Sequence, residues 1–192
     1  SGTWWFALLV VGVTLAAHAD PVCELDGRCP WDKLDFSCNK PLLSVVYTSL
    51  ERYSGRVACG NLFLEADIGG HGVVRAPPLV QHTTAKLDSM YTLLMVDPDS
   101  FSNGTWPFVS GPGEYAPVRH WVVGNIPGKD LVTGDFSQAT TVSEFHGPSP
   151  GPGDGSHRYG LFLFEQVLGN TTFKPYGNES IANWDYSQFI AD

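Results

Sequence analysis

Two carboxylates, two imidazoles and a phenol stand at the ends of apolar runs in this sequence. Asp97 and Asp99 follow Tyr91 to Val96, His120 lies within VRHWVVGN at 118–125, and His157 and Tyr159 open HRYGLFLFEQ at 157–166. An ionised carboxylate only accepts hydrogen bonds and suits an ammonium group. Imidazole, a phenol O–H and loop N–H groups donate, and suit a phosphate. If the three runs are neighbouring strands, these side chains converge on one small site for a zwitterion or small anion. Each also has a plainer reading. Asp and Pro are ordinary turn residues, and a histidine among valines reads as a hydrogen-bonded core residue.

Catalytic alternatives find less support. Two Asp and two His could ligate a transition metal, but no H-E-x-x-H type spacing accompanies them. Gly147-Pro148-Ser149-Pro150-Gly151 matches G-x-S-x-G in letters. A nucleophile elbow, however, needs a sharp strand-to-helix turn, and prolines flank Ser149 with no helical pattern behind it. Gly151, Gly153 and Gly155 precede a strand rather than a helix, so they form no dinucleotide fingerprint. The sequence therefore assigns no catalytic residue, no metal ligand and no cofactor, and the expected protein is not an enzyme.

The elements that must position these groups read as short strands. Tyr91 to Val96 is apolar but for one Thr, long enough for a buried strand. Pro98 then ends the ladder, which is expected to deliver Asp97 and Asp99 to a rim or cleft. Val118 to Asn125 is the next strand. Strict alternation puts Val118, His120 and Val122 on one face and Arg119, Trp121 and Val123 on the other. His157 to Gln166 alternates throughout. Further strands are expected at Pro41 to Tyr47, Arg56 to Glu65 and Leu79 to Thr83. A turn is expected at Pro127-Gly128, and partly extended chain from Gly134 to Ser143. Asn183 is read as the N-cap of a short C-terminal helix reaching Ile190. The long loop from Ser100 to Pro117 is rich in Gly, Pro and Ser, and a loop of that length is commonly functional.

The 192 residues suffice for one domain, and no repeat or linker divides them. Apolar content of 43% with 21 Gly and 14 Pro fits many strands joined by turns. A net charge of −9 argues against nucleic acid as a partner. Residues 1–19 read as the end of a secretory signal, with an apolar run from Trp4 and a small-x-small site at Ala17-His18-Ala19. Residues 20–40 read as a disulfide-held arm, and 41–192 as the domain. That run is short for a membrane span, so no transmembrane segment is expected in the mature chain. Sequons at Asn103, Asn170 and Asn178 agree with an extracellular destination. So do Cys23, Cys29, Cys38 and Cys59, an even number with three open connectivities, of which Cys23–Cys29 and Cys38–Cys59 is favoured.

Three stretches in order carry a resemblance: VDPDS at 96–100, RHWVVGNIPG at 119–128 and GPSPGPGDGSHRYGLFLFEQ at 147–166. The sequence resembles the phosphatidylethanolamine-binding protein family, also called the Raf kinase inhibitor protein family, and in its signal and cysteines resembles secreted members. The resemblance implies a large central antiparallel sheet packed on a smaller sheet, with a short C-terminal helix. It implies an anion pocket for phospholipid headgroups such as phosphorylethanolamine, formed by Asp97, Asp99, His120, Pro150, His157 and Tyr159, and a structural role for Arg158. Departures fall around that pocket: Phe101 and Gly151 stand where the family has proline. A secreted headgroup-binding protein is the expected function. The alternative is a protein-binding regulator, such as a serine protease inhibitor or signalling modulator, acting through surface loops.

Overall fold

The computed structural model describes residues 9–15, 43–48, 55–59, 61–63, 74–98, 100, 117–149 and 157–191. In chain order the elements are β1 (Leu9–Leu15), β2 (Ser44–Tyr47), β3 (Gly55–Val57), β4 (Asn61–Phe63), β5 (Leu79–Gln81), β6 (Met90–Asp97) and β7 (Val118–Pro127). Then follow α1 (Gly128–Thr133), β8 (Thr140–Ser143), β9 (His157–Gln166) and α2 (Tyr186–Ala191). The larger sheet has the order β4-β1-β9-β6-β7-β8, and the smaller one β3-β2-β5. β9, β6, β7 and β8 are antiparallel neighbours; β1 runs antiparallel to β9 and parallel to β4. The architecture is thus mainly β, two sheets and a short C-terminal helix, as the resemblance implies.

β6 is apolar on both faces because both faces are covered. On one side Leu93 and Met95, with Trp121, Val123, Tyr159, Leu161 and Leu163 of its neighbours, pack against Val45, Tyr47, Val57 and Val80 of the smaller sheet. On the other, Leu94, Val96, Val122, Phe162 and Phe164 are covered by the C-terminal segment through Trp184 and Tyr186, with Phe173 and Phe189 beside them. The larger sheet is the middle layer of three.

Several expected elements differ. The run from 56 to 65 contains two short strands, β3 and β4, which join different sheets. The turn expected at Pro127-Gly128 opens a helix. Gly128 donates its N–H to the Ser89 carbonyl at 2.8 Å, and a Cβ there would collide with the Lys86 carbonyl. Glycine is what lets α1 start against that turn; six residues are too few for a visible helical period. At the C-terminus, Asn183 is left-handed (φ 57°) and is not the cap. Asp185 caps α2, its Oδ1 accepting the Gln188 N–H at 3.0 Å. β1 lies inside the stretch read as a secretory signal. The rest of that stretch, and the arm expected at 20–40, lie outside the described residues.

Phe162 of β9 has no exposed surface and packs in the cluster with Trp184 and Tyr186 of the C-terminal segment, whereas Leu168 is 90% exposed. Phe162→Ala should cost about 3–5 kcal/mol of unfolding free energy, and Leu168→Ala less than about 0.5 kcal/mol. Denaturant titration of both variants checks this; equal losses would mean that the C-terminal segment does not cover the sheet.

Candidate functional site

A single extra residue in β7 decides what faces the space between the sheets. Met95 of β6 pairs with Trp121, but Val96 pairs with Arg119, so the register passes over His120. This is a β-bulge, and a bulge re-aims the side chains beside it. Strict alternation would place His120 with Val122 and Arg119 with Trp121. The bulge reverses both placements. Arg119 turns to the C-terminal side, where its guanidinium lies 3.6 Å from the Tyr176 ring centre and its Nε donates to Ser143 Oγ at 2.9 Å. His120 turns to the inter-sheet side and meets Tyr159 edge-on, with ring centres 5.1 Å apart. The face assignment read from the sequence is therefore corrected for this pair.

Three strand ends converge there. Asp97 closes β6, His157 opens β9 and His120 sits on the bulge of β7. Asp97 is not a rim acid; it is 3% exposed, and His120 and His157 are each 4% exposed. The His157 Nδ1–H donates to Asp97 Oδ2 at 2.8 Å. A carboxylate cannot donate, so the proton of that bond belongs to the ring, and Nε2 is the ring nitrogen directed away from Asp97. His157 also lies nearly parallel to Tyr159, with centres 6.4 Å apart. His120 Nε2 stands 4.0 Å from the same Asp97 oxygen, too far for a hydrogen bond. Its Nδ1–H donates instead to the His146 carbonyl at 2.6 Å.

Sequence reasoning missed that carbonyl, since a backbone acceptor has no letter. The nearby signal is Gly147. A Cβ there would collide with the Val74 carbonyl, so only glycine lets the segment after β8 pass so close. His146 then returns its N–H to the His120 carbonyl at 2.7 Å. Arg119 was likewise missed as a structural centre. Of the expected site residues, the fold brings together Asp97, His120, His157 and Tyr159; Asp99 and Pro150 lie outside the described residues. So do Asn103, Cys23, Cys29 and Cys38. Cys59 is disulfide-bonded, to a partner outside the described residues. Asn170 and Asn178 are exposed. Among the described residues no three His, Cys, Asp or Glu side chains are grouped to hold a metal ion.

A cavity among the described residues lies elsewhere. It measures about 330 Å³ and lies between Lys86, Asp88, Glu165 and Gly169, at the opposite end of β6 and β9. The buried titratable groups cluster at the Asp97 end instead.

Burial holds the His120 pKa below its ordinary value, and the neighbouring His157 adds to this; Asp97 pulls the other way and is outweighed. Folded His120 is accordingly neutral where the unfolded residue is charged. As pH falls below about 6.5 the unfolded chain takes up a proton first, so stability falls until the folded pKa is reached. Burial lowers the His82 pKa as well, with the same sign. His120→Gln should therefore lose stability less steeply than the parent between pH 7 and 5, without becoming flat. Parallel curves in urea titrations across that range would show that His120 is charged in the fold.

The family model for phosphatidylethanolamine-binding protein matches residues 52–191. The chain is 39% identical over 90 residues to Protein MOTHER of FT and TFL1 homolog 2 of Oryza sativa subsp. japonica, covering 47% of this chain and 44% of that protein. It is 31% identical over 111 residues to the 26 kDa secreted antigen of Toxocara canis, covering 58% of this chain and 35% of that one. Protein SELF-PRUNING of Solanum lycopersicum is 30% identical over 152 residues, covering 77% and 73%. The matches thus span less than half of the first two relatives and about three quarters of the third. With the family match over most of its length and the two-sheet fold, the chain belongs to the phosphatidylethanolamine-binding protein family, a family of binding and regulatory proteins.

Proposed function

We propose that the protein is a secreted, non-enzymatic binding protein whose site at the ends of β6, β7 and β9 takes a small phosphate-bearing headgroup such as phosphorylethanolamine. The observation that carries this reading is the convergence of Asp97, His120, His157 and Tyr159 around one buried point. The Tyr159 hydroxyl, and the Nε2 atoms of His120 and His157 once protonated, supply donors for phosphate oxygens, and the acids supply the partner an ammonium group needs. Asp99 and Pro150 belong to the same proposed site by their place in the family motifs. Extracellular localisation is supported by the exposed Asn170 and Asn178, by Cys59 in a disulfide and by likeness to a protein named as a secreted antigen.

Calorimetric titration with phosphorylethanolamine tests this. The parent should bind saturably. His157→Ala should weaken binding roughly 10–100-fold, the worth of one charge-assisted hydrogen bond of about 1.5–3 kcal/mol. Asp97→Asn should weaken it as well, with thermal unfolding run beside both to establish that they fold. Phosphate favours imidazolium over imidazole, so affinity should rise as pH falls below about 6.5. The depressed pKa of His120 moves its share of that gain to more acid pH. Affinity flat from pH 8 to 5 would remove the histidines from the site. Absence of binding by a folded parent would sink the headgroup reading. It would favour a protein-binding role through surface loops, such as protease inhibition.

A further inference from the structure

Among the described residues three of the exposed large apolar side chains lie in two neighbouring turns at one end of the larger sheet. Leu87 is 61% exposed, Val167 57% and Leu168 90%. The pairing of Met90 with Gln166 sets the turn before β6 beside the turn after β9. The cavity flanked by Lys86, Asp88 and Glu165 opens between them. A cluster of exposed aliphatic groups rimmed by polar ones marks a surface that something covers.

The same turn carries the sequon Asn170-Thr171-Thr172. Asn170 is exposed, two residues from Leu168, and adjoins Gly169 of the cavity wall. Its backbone is held. Gln166 Nε2 donates to the Gly169 carbonyl at 2.7 Å and to Thr171 Oγ1 at 3.2 Å. Thr171 N–H donates to Asn125 Oδ1 at 2.8 Å, and Asn125 Nδ2 returns a bond to the Thr171 carbonyl at 2.8 Å. Asn125 is itself left-handed (φ 51°), a conformation that asparagine tolerates. The Asn170 side chain therefore leaves from a fixed point beside the patch. Asn178, by contrast, follows Gly177 in a turn next to Tyr176, which packs on the C-terminal face of the sheet.

We infer that Asn170 carries an N-linked glycan and that this carbohydrate is the cover of the Leu87–Val167–Leu168 patch. The inference rests on the secretory reading above. Sugar C–H faces pack on aliphatic side chains, and sugar hydroxyls find Lys86, Asp88 and Glu165 at the cleft. In the transfer, Asn170 Nδ2 forms a bond to the anomeric carbon of an oligosaccharide carried on a polyprenyl diphosphate. The anomeric C–O bond breaks, the lipid diphosphate leaves with its electron pair, and the amide gives up one proton. Thr171 is tied by its N–H, its carbonyl and its hydroxyl in the folded turn, so transfer precedes closure of that turn.

The test is expression of the full chain in secreting eukaryotic cells, with peptide mapping after glycosidase release in heavy-oxygen water. The Asn170 peptide should carry the label. Thr172→Ala, which leaves Asn170 in place, should lose it. That variant should also bind anilinonaphthalene sulfonate several-fold more strongly and sediment as larger species. Adding Leu168→Asp to Thr172→Ala should reverse both changes. Secreted protein with a glycan at Asn178 and a bare Asn170 would overturn this inference and leave the secretory reading intact. So would a Thr172→Ala protein with unchanged dye binding and sedimentation. Chain retained in the cell with no glycan at any sequon would overturn both.

Discussion

A carboxylate closed off from water at the end of an apolar strand has to be answered by something, and Asp97 is such a group. An isolated buried charge costs several kcal/mol, and only close, well-aligned donors offset it. His157 supplies the nearest answer, from the first residue of the neighbouring strand. That one bond fixes a tautomer, aligns the start of β9 with the end of β6, and sets Tyr159 facing the inter-sheet space. His120 completes the cluster without neutralising Asp97, because its own proton is already committed to a main-chain carbonyl. The cluster thus holds one carboxylate against one imidazole that donates to it and a second that donates elsewhere.

The bulge in β7 is the device that makes the cluster and the C-terminal layer compatible. Without it, the arginine would enter the inter-sheet space and the histidine would enter the layer under Trp184. Both placements would be poor. Arginine beside a buried His–Asp pair would compete for Asp97, and a histidine could not reach the carbonyls of Glu179 and Ser180 that Arg119 approaches at 3.5 and 3.3 Å. One inserted residue therefore sorts a cation to one face and a titratable ring to the other.

The sequence made β6 and β9 legible because both are long, apolar and uninterrupted, and because alternation along His157 to Gln166 needs only the chain's own period. The residue types of the cluster were legible as well: acids and histidines at the ends of apolar runs are expensive unless used. What escaped was set by partners. The faces of Arg119 and His120 depend on a register shift that belongs to the β6–β7 pair, not to either strand. α1 is too short to show a period, and it exists because Gly128 permits close docking on the turn before β6. The His146 carbonyl is invisible for the same reason as every backbone acceptor. At the C-terminus, Asn183 and Asp185 are both good capping residues by type, and only the backbone angles choose between them.

Arg119 also bears on how the molecule comes apart. Its guanidinium is enclosed by β8 through Ser143, by Tyr176 and by the carbonyls before Ile181, while the Arg119 main-chain N–H donates to the Ile181 carbonyl at 2.8 Å. Trp184 reinforces the join by donating its main-chain N–H to the Pro117 carbonyl at 2.9 Å. Peeling the terminal segment away would strand a cation against an apolar sheet and open several main-chain bonds at once. The last stretch of the chain is therefore not a tail that frays independently. It belongs to the same cooperative unit as the sheet centre, and its amides are expected to exchange with solvent only when the whole unit opens.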